Sequence, residues 1–171
     1  MVTSCLRYKA DCPLLIIPCT EYYMQCPIST PSVSSFSLPL HYLVGDEKPA
    51  IEISSNINVH WVGFTKKEIL HYYYRAADCF VFPTREDIWG LVINEAMSYG
   101  LPIISSDRCV AALELIENDI NGFLFQSESS DELGDDLNKF LSMNRIERDR
   151  MGLYSRKRIE EYTFGHMEQI H

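Results

Sequence analysis

Apolar and polar positions alternate along this chain in a way that changes period several times. From residue 39 onward, short apolar runs are interleaved with longer stretches of helical spacing. Leu40 to Val44 reads as a strand ending at Gly45-Asp46. Residues 47–57 carry no clear period and read as an irregular connection. Ile57 to Val62 reads as a strand, and Lys66 to Ala77 as a helix whose Ile69, Leu70, Tyr73 and Ala76 recur at helical spacing. Thr65 is its expected N-cap. Cys79 to Phe82 is a strand, Gly90 to Tyr99 a helix closed by Gly100, and Pro102 to Ser105 a strand. Ala111 to Glu117 reads as a short helix, Asn121-Gly122 as a turn, and Phe123 to Phe125 as a last strand. Ser130 to Met143 and Arg145 to Tyr162 read as two closing helices. Strands alternating with helices across short loops imply an α/β fold: a single Rossmann-like domain with a parallel sheet and helices on both faces.

Residues 1–37 do not share this pattern. They contain Cys5, Cys12, Cys19 and Cys26, seven residues apart, and a Ser/Pro-rich run over 27–35. Pro13, Pro18 and Pro27 break any continuous helix through the cysteines. No Cys-x-x-Cys pair or His cluster indicates zinc, and without an export signal a disulfide framework is not expected. This segment is expected to be irregular and atypical, with the domain proper over 38–171.

Bulk properties fit one domain of ordinary make-up. The chain has 171 residues, 46% of them apolar and 23% charged. A domain of that size buries roughly 70% of the surface its unfolded chain exposes. The net charge of −9 argues against nucleic acid as a partner. The basic residues near the C-terminus, Arg145 to Arg158, alternate with acids and read as a solvated helix face. No segment approaches the ~20 apolar residues of a membrane span, and a cytoplasmic location is the default expectation.

The chemistry concentrates in residues 82–105. Here a strand end is followed by the polar loop Thr84-Arg85-Glu86-Asp87, then by a helix opened at Trp89-Gly90. In open parallel sheets ligands sit where strands end and helices begin. The N–H groups of Gly90, Leu91 and Val92 would face such a ligand, ready for phosphate or a hydroxyl. Asp87 lies just before the helix, and Glu95 about 7–8 Å along its axis at 1.5 Å per residue. Taken alone, Asp87 is explained as a first-turn acid or cap, and Glu95 as a surface residue. The Tyr72-Tyr73-Tyr74 run reads as packing, Cys79 as core, and Cys109 as a loop thiol without an activating neighbour. A glycosidase pair would need two carboxylates at a defined separation with one raised pKa, and the fold reading opposes it.

The run from Asp87 to Met97, DIWGLVINEAM, resembles the signature of the family 4 (group 1) glycosyltransferases, retaining nucleotide-sugar enzymes of the GT-B fold. Their pattern is a carboxylate, seven residues, then Glu-Ala, with an aromatic-Gly-Leu between and Pro-Ser/Thr before. Here the first carboxylate is Asp87 rather than Glu, and the aromatic is Trp89 rather than Phe. The resemblance continues in Asn58–Phe64, Glu68–Asp78, Leu113–Ile116 and Asn121–Phe125, and covers the C-terminal, donor-binding half of the family's two-domain architecture. It implies that Asp87 contacts the donor hexose and Glu95 the ribose hydroxyls. Trp89, Gly90 and Leu91 would line the donor site. Gly63 and Gly45 would border the nucleotide. The Gly-Arg turn and following Lys-Gly that neutralise the diphosphate in the family have no counterpart near the start, so the first βα unit is expected to be missing or replaced.

The implied function is hexosyl transfer from a nucleotide-diphosphate sugar to a hydroxyl acceptor, with the chain as a truncated donor-binding half. A saccharide or lipid-linked acceptor would require an N-terminal domain, and family members often work at the inner membrane face. No cofactor and no metal is expected, because the helix start already presents positive potential. A nucleotide-sugar-binding module or partner subunit without its own activity, and a fragment of a GT-B sugar epimerase, are the alternatives.

Overall fold

The computed structural model describes Leu14–Pro18, Leu40–Val44, Asn58–Gly63 and residues 65–168. Gly45 and the four N-terminal cysteines lie outside the described residues. In chain order the elements are β1 (Leu14–Pro18), β2 (Leu40–Val44), β3 (Asn58–Gly63), α1 (Lys67–Ala76), β4 (Ala77–Phe82), α2 (Leu91–Ser98), β5 (Ile103–Ser106), α3 (Val110–Leu115), β6 (Gly122–Phe125), α4 (Ser130–Ser142) and α5 (Arg145–Glu168).

The six strands form one sheet in the order β3-β2-β1-β4-β5-β6. β4, β5 and β6 pair in parallel, as do β2 and β3. β1 is antiparallel to both of its neighbours. Five strands therefore run one way and the sixth runs against them. The expected α/β architecture is present, with this one departure from a wholly parallel sheet. Five residues of the segment expected to be irregular thus form a strand. Leu14-Leu15-Ile16-Ile17 is a continuous apolar run of the kind buried strands use. Because β2 to β6 share a direction, their C-terminal ends at Val44, Gly63, Phe82, Ser106 and Phe125 meet along one edge.

Side chains of β4 alternate between two cores. Phe80 and Phe82 enter a cluster with Tyr73, Tyr74, Ile93, Ala96, Met97, Ala112, Leu115 and Ile159, built by α1, α2 and α3. Cys79 and Val81 enter a second cluster with Ile104, Phe123, Phe125, Leu133, Leu137 and Phe140, covered by α4. Helices thus sit on both faces, which the period-2 burial of β4 requires. The tyrosine run behaves as packing: Tyr73 and Tyr74 are buried, and Tyr74 sets its ring edge-on to Phe80 at 5.8 Å.

α5 carries Met151 into one core and Ile159 into the other, and so closes the domain across both. Its fit against the C-terminal end of α2 depends on Gly152. A Cβ there would lie 2.2 Å from the Gly100 carbonyl oxygen. Gly122 allows a similar approach: a Cβ at that position would lie 2.0 Å from the Ile103 carbonyl oxygen. Asn121 beside it is buried and latches the β6 entry. Its Nδ2 donates to the Leu115 carbonyl at 2.9 Å, and its Oδ1 accepts from the Glu117 N–H at 2.7 Å. The sequence reads Asn121-Gly122 as a turn, and Asn121 does end a turn that leads into β6, where it is also a buried hydrogen-bonding post.

α1 begins one residue later than its sequence suggests. Lys66, with extended dihedrals, is the N-cap, and its carbonyl accepts from Ile69 and Leu70 at 2.9 and 3.0 Å. Thr65 is therefore not the cap. α4 follows the expected rule, with Ser129 Oγ accepting from the Glu132 N–H at 3.3 Å.

On α4, burial raises the Asp136 carboxyl to a pKa of about 6. Lys139 opposes the shift, while Glu132, Asp119 and Asp135 add to it. A carboxyl whose folded pKa is raised holds a proton in the native state. Its contribution to stability is then complete below the ordinary value of 3.8 and is lost as pH rises through about 6. Asp136→Asn is expected to be ~1 kcal/mol more stable than wild type at pH 7, after allowance for solvent screening, with the difference vanishing toward pH 4. Urea titrations across that range check this; an Asn variant less stable than wild type at pH 7 would refute it.

Candidate functional site

The loop between β4 and α2 crosses the edge where the parallel strands end. Its base is stitched by short polar bonds. Ser105 Oγ donates to the Phe82 carbonyl at 3.1 Å, and Ser106 Oγ donates to that of Thr84 at 2.5 Å. Thr84 Oγ1 donates to the Glu86 carbonyl at 3.0 Å, so Glu86 contributes backbone here and leaves its side chain exposed.

Asp87 anchors the next step. Its N–H donates to the Arg108 carbonyl at 2.9 Å, and it bridges in parallel to Cys109. Its Oδ1 accepts from the Trp89 N–H at 3.0 Å. It therefore turns the loop, in the manner of an Asx turn, rather than capping α2. The N-cap is Gly90, in the left-handed region at φ 83 and ψ 57. A Cβ on Gly90 would stand 2.3 Å from Cys109 Sγ. The same thiol donates to the Trp89 carbonyl at 3.1 Å, which also accepts from the Ala111 N–H at 2.8 Å. Cys109 is buried, and burial pushes its thiol pKa up, so it is a packing and hydrogen-bonding residue and not a thiolate. The sequence names this cysteine only as lacking an activator; its contact with Gly90 is a long-range fact that no local signal carries.

Trp89 brings its backbone to the turn, while its ring stacks on Tyr162 of α5, centroids 5.9 Å apart. Leu91, the first residue of α2, is exposed, as is Ile88 at 90%. The N–H groups of Leu91 and Val92 have no earlier carbonyl within the helix to bond. With Gly90 they open toward the strand edge beside Asp87.

Glu95 lies on α2 one and a half turns further on. Its carboxylate meets the ammonium of Lys67, the first residue of α1, at 2.9 Å. α1 follows β3 after three residues, so the partner of Glu95 stands at the end of the connection that leaves Gly63. The structure thus brings Asp87, Trp89, Gly90 and Leu91 together where β4 ends, with Glu95 further along α2, while Gly63 ends β3 at the same edge but with two strands between it and β4. Among the described residues no group of three His, Cys, Asp or Glu gathers as a metal set. No described helix is long and apolar enough to cross a membrane. An open groove of about 520 Å³ lies away from this edge, between Asn121 and the α5 face bearing Met151, Tyr154 and Arg158.

Comparison with known proteins bears directly on this edge. Residues 46–158 match the family model described as glycosyl transferases group 1. The chain belongs to the group 1 glycosyl transferases. Spore coat protein SA of Bacillus subtilis is 33% identical to this group 1 chain over 110 residues, 63% of the chain and 28% of that protein. Among solved structures, sucrose-phosphate synthase from Thermosynechococcus elongatus superposes with a TM-score of 0.57 at 27% identity, over 66% of this chain and 29% of that one. The C-terminal domain of LpcC, a group 1 family protein from Francisella tularensis, does so with a TM-score of 0.54 at 25% identity, over 60% of this chain and 52% of that one. These neighbours are GT-B glycosyltransferases, and the second is itself a C-terminal domain. The chain spans between 21% and 28% of the length of the curated relatives it matches.

The Gly90 turn makes a sharp demand. Gly90→Ala would force a Cβ into a left-handed residue and against the Cys109 sulfur, and is expected to cost ~1–3 kcal/mol. Adding Cys109→Ala removes the sulfur but not the dihedral cost, so the double variant should recover part of the loss. Denaturant midpoints for the two single variants and the pair check this. Simple additivity of the two losses would show that the sulfur and the Cβ do not meet.

Proposed function

We propose that this chain binds a nucleotide-diphosphate sugar and supplies the donor-binding half of a retaining, family 4 hexosyltransferase. The observation that carries the reading is the arrangement around α2, within a chain of the group 1 family. A left-handed glycine opens the helix, one carboxylate precedes it, and a second stands about 7–8 Å along it. The spacing suits a diphosphate at the helix start with a ribose beside Glu95. A carboxylate accepts two hydroxyl bonds in a fork, which matches a vicinal diol.

In this reading Asp87 meets the hexose through the oxygen that does not bond Trp89. Gly63, and Gly45 with it, border the nucleotide, and Trp89 holds the turn from behind. Bond cleavage would leave positive charge on the sugar and growing negative charge on the departing diphosphate. The N–H groups of Leu91 and Val92, with the positive end of the α2 dipole, are placed to stabilise that charge without a metal. The acceptor hydroxyl, saccharide or lipid-linked, would be presented by a second domain. Orienting both reactants accounts for ~7–11 kcal/mol of such a barrier.

Glu95→Ala is expected to weaken nucleotide-sugar binding by roughly 1.5–3 kcal/mol, the range of hydrogen bonds to a charged group. Calorimetric titration with a panel of nucleotide sugars tests it, and equal affinity in wild type and variant removes the ribose assignment. The 171-residue chain alone is expected to bind donor without acceptor-dependent transfer. Mass spectrometry of products from nucleotide sugars and saccharide or lipid-linked acceptors checks that, and robust glycosylation would overturn it.

A further inference from the structure

The pair between Lys67 and Glu95 has no evident stabilising purpose. Lys67 is 81% exposed and Glu95 31% exposed. Ion pairs so open to water contribute little to stability, typically under ~1 kcal/mol, and hold two flexible side chains at an entropic cost. Yet this pair joins the two elements that frame the strand edge, the start of α1 and the middle of α2.

Its surroundings are directional. On the inner side of Glu95 lies Tyr74, whose buried hydroxyl has no hydrogen-bond partner. Burial first, and the nearby Glu95 charge second, raise the pKa of that phenol. The two groups therefore feel one another without meeting the geometry of a hydrogen bond. Tyr99 stacks on Tyr74 at 5.4 Å. The carboxylate thus has the Tyr74 hydroxyl in its neighbourhood and an ammonium at 2.9 Å. A Glu side chain has three rotatable bonds, and fixing them before a ligand arrives spares that cost at binding.

We propose that Lys67 is a positioning residue: from the first turn of α1 it holds the Glu95 carboxylate in the orientation that receives the ribose diol. The inference rests on the ribose reading of Glu95. It adds a source of ribose-over-deoxyribose selectivity that lies outside the α2 signature.

The test is calorimetric titration with UDP, GDP and ADP, each beside its 2′-deoxy counterpart. The proteins are the wild-type chain, Glu95→Ala, Lys67→Met and Lys67→Arg, with thermal melting of each. Wild type is expected to prefer the ribonucleotide, and Glu95→Ala to lose that preference. Lys67→Met should lower the preference about two- to fivefold with its melting temperature unchanged, and Lys67→Arg should restore most of it. If Lys67→Met keeps the wild-type preference while Glu95→Ala abolishes it, positioning by Lys67 is wrong and the ribose reading stands. A uniform loss for both nucleotides accompanied by a lower melting temperature would make Lys67 merely structural and would also overturn the proposal. If no nucleotide binds wild type, or Glu95→Ala keeps the preference, the ribose reading fails and takes this inference with it.

Discussion

The contact between Gly90 and Cys109 sets the terms for everything around it. α2 has to begin close enough to α3 for Ala111 and Cys109 both to bond the Trp89 carbonyl. That leaves no room for a Cβ at residue 90, and it forces the left-handed turn that aims the helix start at the strand edge. Asp87 can bridge to Cys109 only because the chain turns there. Glu95 then reaches Lys67 because α2 leaves that turn at the angle the turn dictates. One steric limit therefore places both carboxylates and the helix dipole.

The far end of α2 is held with equal economy. Gly100 and Gly152 bring backbone against backbone, and α5 locks there with residues in both cores. A helix of eight residues has little stability of its own. Its direction is set by these two glycine contacts and by the burial of Ile93, Ala96 and Met97 between them. A charged ligand at the helix start would meet donors that are already oriented.

Most of this was legible in the sequence wherever the signal was local. The alternation of apolar runs with longer stretches located α1 to α5 and β2 to β6, with bounds shifted by a residue or two and α5 running on to Glu168 rather than ending at Tyr162. Ser129 caps as its type suggests; Thr65 does not, because the Lys66 carbonyl already closes the first turn. What the sequence hid was long-range. β1 is an apolar run of strand type, but it lies between Pro13 and Pro18 in a segment unlike the rest, and no local pattern encodes its direction. Lys67 and Glu95 stand on different helices, and Cys109 meets Gly90 across a strand. Asn121 stands in the turn its type suggests, and the Leu115 carbonyl and the Glu117 N–H explain its burial there.

The reversed strand changes how the sheet can be assembled. β2 and β3 form one parallel pair, and β4 to β6 form a parallel trio, but the two groups share no ladder of their own. They are joined only through Leu14–Pro18, which reaches Val44 on one side and Val81 on the other. Until that strand is seated, both β2 and β4 present unpaired backbone, the kind of open edge that recruits other chains. The pairing partners in β4 are synthesised 59 to 66 residues after those in β1. Closure is therefore a late and non-local event, of the kind that slows folding. The N-terminal strand acts as a keystone, and solubility during folding becomes a property of how quickly a strand of four aliphatic residues and a proline finds its slot.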